Sequence, residues 1–349
     1  MKYTLLQWLA CPACHHHDLT LETTKTEVRA ITRGHFDPGE GEPVGVNLAK
    51  GTQTEVMEGA LHCDKCRAVY PIQDGVPRMV TDTGMATPSS AHRWNKFDAA
   101  MPEWEETFLD YSAPTKPGDF LGRRVLDAGC GYGRHAFYAA RYGAEVVAID
   151  SDPVAVEAAA KNTESLARAH VIQADLYHLP FREEVFDLAY SFGVLHHLDN
   201  HHIAMRGLTE SLRPGGRLML WVYGTRKGST LVLNNALRGV TTGMEPGELH
   251  QLSKVIATGL RLIGHTPYRV LGKVPVAAEL VRRLPIHEHG RWPMGVVIAD
   301  VYDRLRIPVK HWFTSDELEA WFSDEGYADV QVTRRVRNNE TFRAAGTRR

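Results

Sequence analysis

Between Arg124 and Val222 the chain alternates short apolar runs with helix-like stretches, and this alternation constrains its fold more than any other feature. Arg124-Val-Leu-Asp127 runs into a glycine-rich turn and a helix from Arg134 to Tyr142. Glu145 to Ile149 is a second strand, ending in Asp150, and Ser151-Asp152-Pro153 opens a helix that continues to Asn162, proline being at home in a first turn. His170 to Ala174 ends in Asp175, and Phe186 to Tyr190 ends in Ser191. A helix from His201 to Leu212 stops at Arg213-Pro214-Gly215-Gly216, and the strand Arg217 to Val222 follows. Repeated strand–helix units predict an α/β fold with a doubly wound, Rossmann-like sheet. Right-handed crossovers gather the carboxyl ends of the parallel strands on one edge, so Asp127, the glycine turn, Asp150, Asp175 and Ser191 are expected together.

The chemistry of that edge follows from the residues. Gly129, Gly131 and Gly133 let the backbone turn tightly and approach a ligand closely. Asp150 lies 17 positions beyond Gly133, a spacing that suits an acidic partner for ribose hydroxyls. A dinucleotide site wants Gly-x-Gly-x-x-Gly facing a pyrophosphate. Here Asp127 precedes a Gly-x-Gly-x-Gly turn, and by charge complementarity an acid there favours a cationic ligand. S-adenosylmethionine carries a sulfonium and an ammonium and no phosphate.

Five segments in order then carry a family resemblance. Val125-Leu-Asp-Ala-Gly-Cys-Gly-Tyr-Gly-Arg134 resembles the first motif of class I S-adenosylmethionine methyltransferases, and Ile149-Asp150 their second-strand acid. Gln173-Ala-Asp-Leu176 is similar to their adenine-binding segment. Phe186 to Leu198, with Ser191-Phe-Gly-Val-Leu-His-His197 inside it, resembles the subgroup that contains the quinone-biosynthesis methyltransferases, and Leu212 to Leu218 completes the set. The resemblance implies a seven-stranded sheet whose last strand is antiparallel. It implies Gly129, Gly131 and Gly133 around the methionine moiety, with Asp127 at the turn, and Asp150 and Ser151 at the ribose. Asp175 would accept from the adenine amino group, Leu176 would lie against its ring, and Ser191 and Phe192 would line the sulfonium. Cys130 reads as small packing filler.

Methyl transfer from a sulfonium is an in-line SN2 displacement, so positioning and water exclusion dominate, and a base is needed only for a protonated acceptor. His196 and His197 follow the fourth motif and are candidate bases. The segment lacks the Asn/Asp-Pro-Pro-Tyr/Phe signature of methylation on planar amides. Residues 225–311 read as a helical insertion, with helices at Thr230–Arg238, Glu248–Ile263, Val276–Arg283 and Gly295–Leu305, placed as a lid over the acceptor. Tyr223, Tyr302, Asp303 and His311 are further acceptor-site candidates, whereas His287 and His289 read as a polar loop. A helix Asp316–Glu325 and strands Ala328–Val336 and Glu340–Gly346 end the pattern.

Four of the five cysteines fall in two pairs, Cys11-Pro-Ala-Cys14 and Cys63-Asp-Lys-Cys66, separated by 48 residues. Two such knuckles complete a tetrahedral four-thiolate zinc site. The insert around Gly39 to Thr54 reads as a β-hairpin or loop, and His15, His16 and His17 as solvated side chains. With Leu5 to Pro12 and Leu61 to Pro77, the pairs resemble the zinc-ribbon proteins that act as activator subunits of transfer-RNA and release-factor methyltransferases. The expected organisation is a ribbon over 1–80, a linker with N-terminal helices over 81–120, and a methyltransferase domain over 121–349.

The net charge of −2 (40 basic against 42 acidic residues) disfavours a protein that grips nucleic acid mainly by electrostatics. We therefore rank a small-molecule acceptor in secondary or cofactor metabolism first. An RNA methyltransferase using the ribbon to hold RNA ranks second, counted against by Glu40, Glu42, Glu55 and Glu58 in the insert and mildly for by the basic tail from Arg334. A non-catalytic module with a vestigial site ranks third. No membrane span and no export signal is read, which implies a cytoplasmic, reducing setting, and a homodimer is an allowed assembly.

Overall fold

The computed structural model describes residues 1–31, 44–47, 49–81, 102–225, 239–262, 292–306, 309, 311–335 and 338–349. The helices expected at Thr230–Arg238 and Val276–Arg283, His287, His289, the side chain of Asp303 and the acids Glu40 and Glu42 lie outside these residues.

The first layer is a small antiparallel sheet built from β1 (Leu19–Ala30), β2 (Val46–Asn47), β3 (Thr52–Cys63), β4 (Val69–Gln73) and β5 (Val76–Pro77). Its order is β1-β3-β4-β5, with β2 also on β3. The two knuckles lie at one end of this sheet, where Leu19 pairs with Cys63, and β1 and β3 pair as twelve-residue arms that frame the insert and begin well before Gly39.

The second unit opens with α1 (Pro102–Ser112) and continues as β6 (Arg124–Ala128), α2 (Arg134–Arg141), β7 (Glu145–Asp150), α3 (Pro153–Thr163), β8 (Ala169–Gln173), β9 (Phe186–Phe192), α4 (His201–Ser211) and β10 (Leu212–Tyr223). Helices α5 (Pro246–Leu260) and α6 (Met294–Arg306) belong to the insertion; α7 (Ser315–Asp324), β11 (Tyr327–Arg335) and β12 (Asn338–Arg348) follow. The seven strands are ordered β11-β12-β10-β9-β6-β7-β8, with β12 antiparallel to both neighbours and the pairs among β6 to β10 parallel. Every residue of β9 is buried, as is expected of a parallel strand covered on both faces. Thr314 caps α7 with the reciprocal Glu317 bond that its sequence spacing predicts.

The structure moves one boundary for a clear reason. The sequence places a stop at Arg213–Gly216, yet β10 begins at Leu212, which pairs with Phe186, and resumes pairing at Arg217 against Leu188. The intervening Pro214-Gly215 segment bulges out, with Gly215 at φ +78°.

The small sheet caps the edge strand β8. Arg78 bridges Gln173 in parallel, and the Met79 amide donates to the Gln173 carbonyl at 2.7 Å. Below it, Leu9 bridges Phe181, the Ala10 amide donates to Pro180, and the Arg182 amide donates back to Trp8. One apolar cluster joins Leu5, Leu9 and Cys11 to Ile172, Ala174 and Phe181. An edge that would otherwise present open backbone groups is thereby closed. Among the described residues no helix is long and apolar enough to cross a membrane.

Candidate active site and metal centre

The chain lays β6, β7 and β8 outward in one direction and then returns to place β9 on the other side of β6. That reversal opens a crevice beyond the carboxyl ends of β6 and β9, where open α/β sheets bind ligands. The glycine turn fills its floor. Gly129 and Cys130 both donate to the Ile149 carbonyl at 2.9 Å, and Gly133 donates to Cys130 at 3.0 Å. Gly129 has φ +87°, and a Cβ there would stand 2.4 Å from Cγ2 of Val194, so only glycine fits.

The acids frame this turn. Asp150 accepts from the Gly131 amide at 2.9 Å through Oδ2 and from the Asp152 amide at 3.0 Å through Oδ1. Asp152 in turn caps α3 by accepting from Val154. Asp127 is buried, and its Oδ2 has no hydrogen-bond partner among the described residues. Burial pushes its carboxyl up to about 7, with the Tyr190 hydroxyl drawing it back and Asp150 adding to the rise. Burial also lifts half-buried Asp150 to about 6, against the pull of the Asp152 and Gly131 amides. A buried, incompletely satisfied carboxylate fits a cationic ligand group. The same burial raises the Cys130 thiol, keeping it in the inert thiol form.

The remaining cofactor-side candidates differ in what they offer. Asp175 is buried, and its Oδ1 accepts from the Tyr177 and His178 amides at 2.7 and 2.9 Å. Leu176 and Phe192 are buried beside the crevice, and the Ser151 carbonyl accepts from Gln173. The hydroxyl of Ser191 is fully buried and donates to the Ala128 carbonyl at 2.8 Å, a strand-to-strand bond that points it into the sheet.

On the acceptor side the structure brings His196, His197 and Tyr223 together; it ties down only the backbone of His311, whose ring packs on His201, and it leaves Tyr302 apart. His196 is buried and stacks on Tyr223 with ring centroids 4.2 Å apart; His197 packs on His196 at 4.1 Å. The His311 amide donates to the His196 carbonyl at 3.1 Å. Tyr302 is buried in the insertion's own apolar cluster with Leu249, Val297 and Val301. Three rings were missed by sequence reasoning. Tyr111 of α1 stacks on Trp221 at 4.5 Å, and Trp312 stacks on Tyr223 at 5.7 Å. Trp221 is two residues from Tyr223 on a strand, a spacing that puts both on one face and could have flagged it. Nothing local to the sequence marks Tyr111 or Trp312.

The four paired cysteines converge in the small sheet's unit, all Sγ atoms lying within 4.8 Å of one another. Cys11 to Cys66 is 3.5 Å and Cys14 to Cys63 is 3.6 Å. Tetrahedral zinc with ~2.3 Å bonds needs sulfurs about 3.8 Å apart, so the set fits this ion. The knuckles share one geometry. Each first cysteine carbonyl accepts from the residue after the second, His15 or Arg67, and both those residues have positive φ, 55° and 65°. Tyr70 adds a hydroxyl 3.1 Å from Cys11 Sγ. Among the described residues His15, His16 and His17 take no place in this cluster.

The sheet order, the glycine turn and the acids at the switch point define the fold of class I methyltransferases. Residues 126–220 match the family model described as a methyltransferase domain, and residues 2–75 match that of Trm112p-like proteins. Methyltransferase GfsG of Streptomyces halstedii is 31% identical over 204 residues, covering 57% of this chain and 68% of that protein. The chain belongs to the S-adenosylmethionine-dependent methyltransferase family. An O-methyltransferase of Aspergillus nomiae is 33% identical over 103 residues, 28% of this chain and 46% of the relative. An uncharacterized protein of Synechococcus sp. is 32% identical over 159 residues, 44% of this chain. The chain spans only 33% of that cyanobacterial protein's length, and under half of the Aspergillus protein.

Proposed function

We propose that the chain transfers the methyl group of S-adenosylmethionine to a small-molecule acceptor. The observation that carries this reading is the pair Asp127 and Asp150, two burial-raised carboxyls flanking a glycine turn at the switch point. When bound, S-adenosylmethionine supplies an activated methyl group on a sulfonium centre. Asp127 balances the ligand's ammonium, and Gly129, Gly131 and Gly133 bring the backbone close to it. Each Asp150 oxygen accepts one amide and keeps a lone pair for a ribose hydroxyl. Asp175 and Leu176 receive the adenine, with Ser151 and Phe192 bordering the site; Ser191 acts by holding β9 against β6. His196 or His197 takes the acceptor proton where one must leave. Tyr223, Trp312 and Tyr111 exclude water from the line of transfer.

Two observations support a small-molecule acceptor: the stacked rings Tyr111–Trp221 and Tyr223–Trp312 gather beside His196, and the chain's net charge is −2. The names of the Streptomyces and Aspergillus relatives, a methyltransferase and an O-methyltransferase, agree with methyl transfer. We assign residues 1–80 to the ribbon and 121–349 to the catalytic unit. The segment 81–120 contributes α1, whose Trp104 and Phe108 share a buried cluster with β6 and α2.

Titration calorimetry tests the proposal directly. Asp150→Ala should weaken S-adenosylmethionine binding by about 10- to 100-fold, the worth of one or two charge-assisted hydrogen bonds. No binding by the unaltered chain would remove the reading, and tight, salt-dependent RNA binding would replace the small acceptor by a polymer. A second expected result concerns protons. Asp127 holds its proton up to about pH 7 and is more stable as the acid, so its stabilising contribution is present below pH 4 and fades as pH rises to 7. A cationic ligand favours the carboxylate, so binding at pH 6 should release a proton. The measured enthalpy should then depend on the ionisation enthalpy of the buffer, and in Asp127→Asn that dependence should shrink to the share that Asp150 carries.

A further inference from the structure

The insertion returns to the sheet through the strap His311-Trp312-Phe313. Its backbone is sewn down at three points: His311 donates to the His196 carbonyl at 3.1 Å, Phe313 to Tyr223 at 3.0 Å, and Thr225 to Phe313 at 2.8 Å. Gly224 and Phe313 form a parallel bridge. In extended backbone successive side chains alternate. Trp312 therefore points one way, onto Tyr223, which stacks on His196. His311 and Phe313 point the other way, onto α4 and α7. There His201, the first residue of α4, meets His311 at 4.3 Å in an edge-to-face contact, Phe313 at 5.2 Å and Trp321 of α7 at 4.8 Å. The Nδ1 of His201 is buried with no hydrogen-bond partner among the described residues.

We propose that His201 is a positioning residue that, packed neutral against the His311 ring, latches the strap closed and so holds Trp312 and Tyr223 in place on the acceptor side. Protonation of His201 opens the latch. That this is the acceptor side rests on the methyltransferase reading; the latch itself does not. A charge on His201 would face the His311 ring, whose Nε2 lies 3.3 Å from the Asp199 carbonyl, and among the described residues nothing accepts a proton from His201 Nδ1. The groups acting on His201 are His202 from its own helix, exposed, His311 from the strap and Glu317 from α7. Burial, then His311 and His202, hold its imidazolium down to about 4, and Glu317 is the one that opposes them. In an opened strap the ring returns to about 6.5. As pH falls from 6.5 towards 4 the open form takes up a proton that the closed form refuses, so closure is lost as pH falls. At pH 5 the closed-to-open ratio should be lower than at pH 7.5 by roughly 30-fold.

Amide hydrogen exchange on the full chain reads this without knowledge of the acceptor. Protection of the Phe313 and Thr225 amides, corrected for intrinsic rates, should fall by roughly 30-fold between pH 7.5 and pH 5, while the Leu218 to Leu220 amides of β10 stay protected. His201→Gln and His201→Phe remove the titration, one keeping a polar group and the other a ring. In either variant that folds by circular dichroism, protection at pH 5 should match that at pH 7.5. Unchanged protection in the unaltered chain, or the same acid loss in the variants, would overturn the latch. S-adenosylhomocysteine binding at pH 7.5 is measured in parallel. Its absence, with the acid response intact, would count against the methyltransferase reading and leave the latch standing.

Discussion

Replacing Cys11 with serine should strip the chain of its metal and destabilise far more than the ribbon. Metal analysis of the unaltered chain should give about one zinc per chain, falling towards zero in the variant. Structural zinc contributes on the order of 10 kcal/mol to small domains built around it, so the ribbon should not stay folded without it. Cys11 is fully buried, and its apolar cluster runs on into Ile172, Ala174 and Phe181. The segment from Gln173 to Arg182 is held by backbone bonds from Met79, Ala10 and Trp8, and Asp175 lies within it. Hydrogen exchange over residues 169–182 should therefore rise sharply, and S-adenosylhomocysteine should bind at least tenfold more weakly. Cys130→Ser, a change at the cysteine outside the cluster, should keep its zinc. Unchanged protection over 169–182 in a zinc-free variant would show that the two units are energetically separate.

Gly129→Ala should be the most damaging single methyl group in the cofactor crevice. The position has φ +87°, where an L-residue costs about 1–2 kcal/mol. The new Cβ would also stand 2.4 and 2.9 Å from the two Val194 methyl groups, and relieving that overlap costs roughly 1–3 kcal/mol more. Together the terms are about 3 kcal/mol, a sizeable part of the 5–15 kcal/mol that holds a typical domain. Urea denaturation should show the drop, with cofactor binding lost alongside it. Gly122→Ala is the matched control. Its φ is +67° with nothing within 4 Å of the added atom, so only the backbone term should appear. Equal midpoints for the two variants would mean that Val194 yields freely.

The parts of this molecule that were legible in advance are those whose cause is local. The strands β6, β7 and β9 read clearly because covering both faces makes each a short apolar run. The knuckles read clearly because two thiolates on one tight turn have little other use. The glycine turn and Asp150 are tied by one hydrogen bond across 19 positions of sequence, within one strand–helix–strand unit. What stayed hidden depends on partners far along the chain. Ser191 looks like a site residue until Ala128 is placed beside it on the neighbouring strand. Tyr302 has the chemistry of an acceptor contact, but its own helix packs it against α5. Trp312 gains its place only when Tyr223, 89 positions earlier, pairs with the strap. The contact between Leu9 and Phe181 joins the two units across 172 positions of sequence, and no periodicity reports it.

The seam between the ribbon and β8 has one further consequence. The ribbon relatives named by the resemblance are separate subunits, which must find their partner by diffusion and hold it against dilution. Here the same kind of surface is tethered to its target by the chain itself. A short tether gives an effective local concentration in the millimolar range, whatever the expression level. A modest seam such as this one then suffices to stay closed.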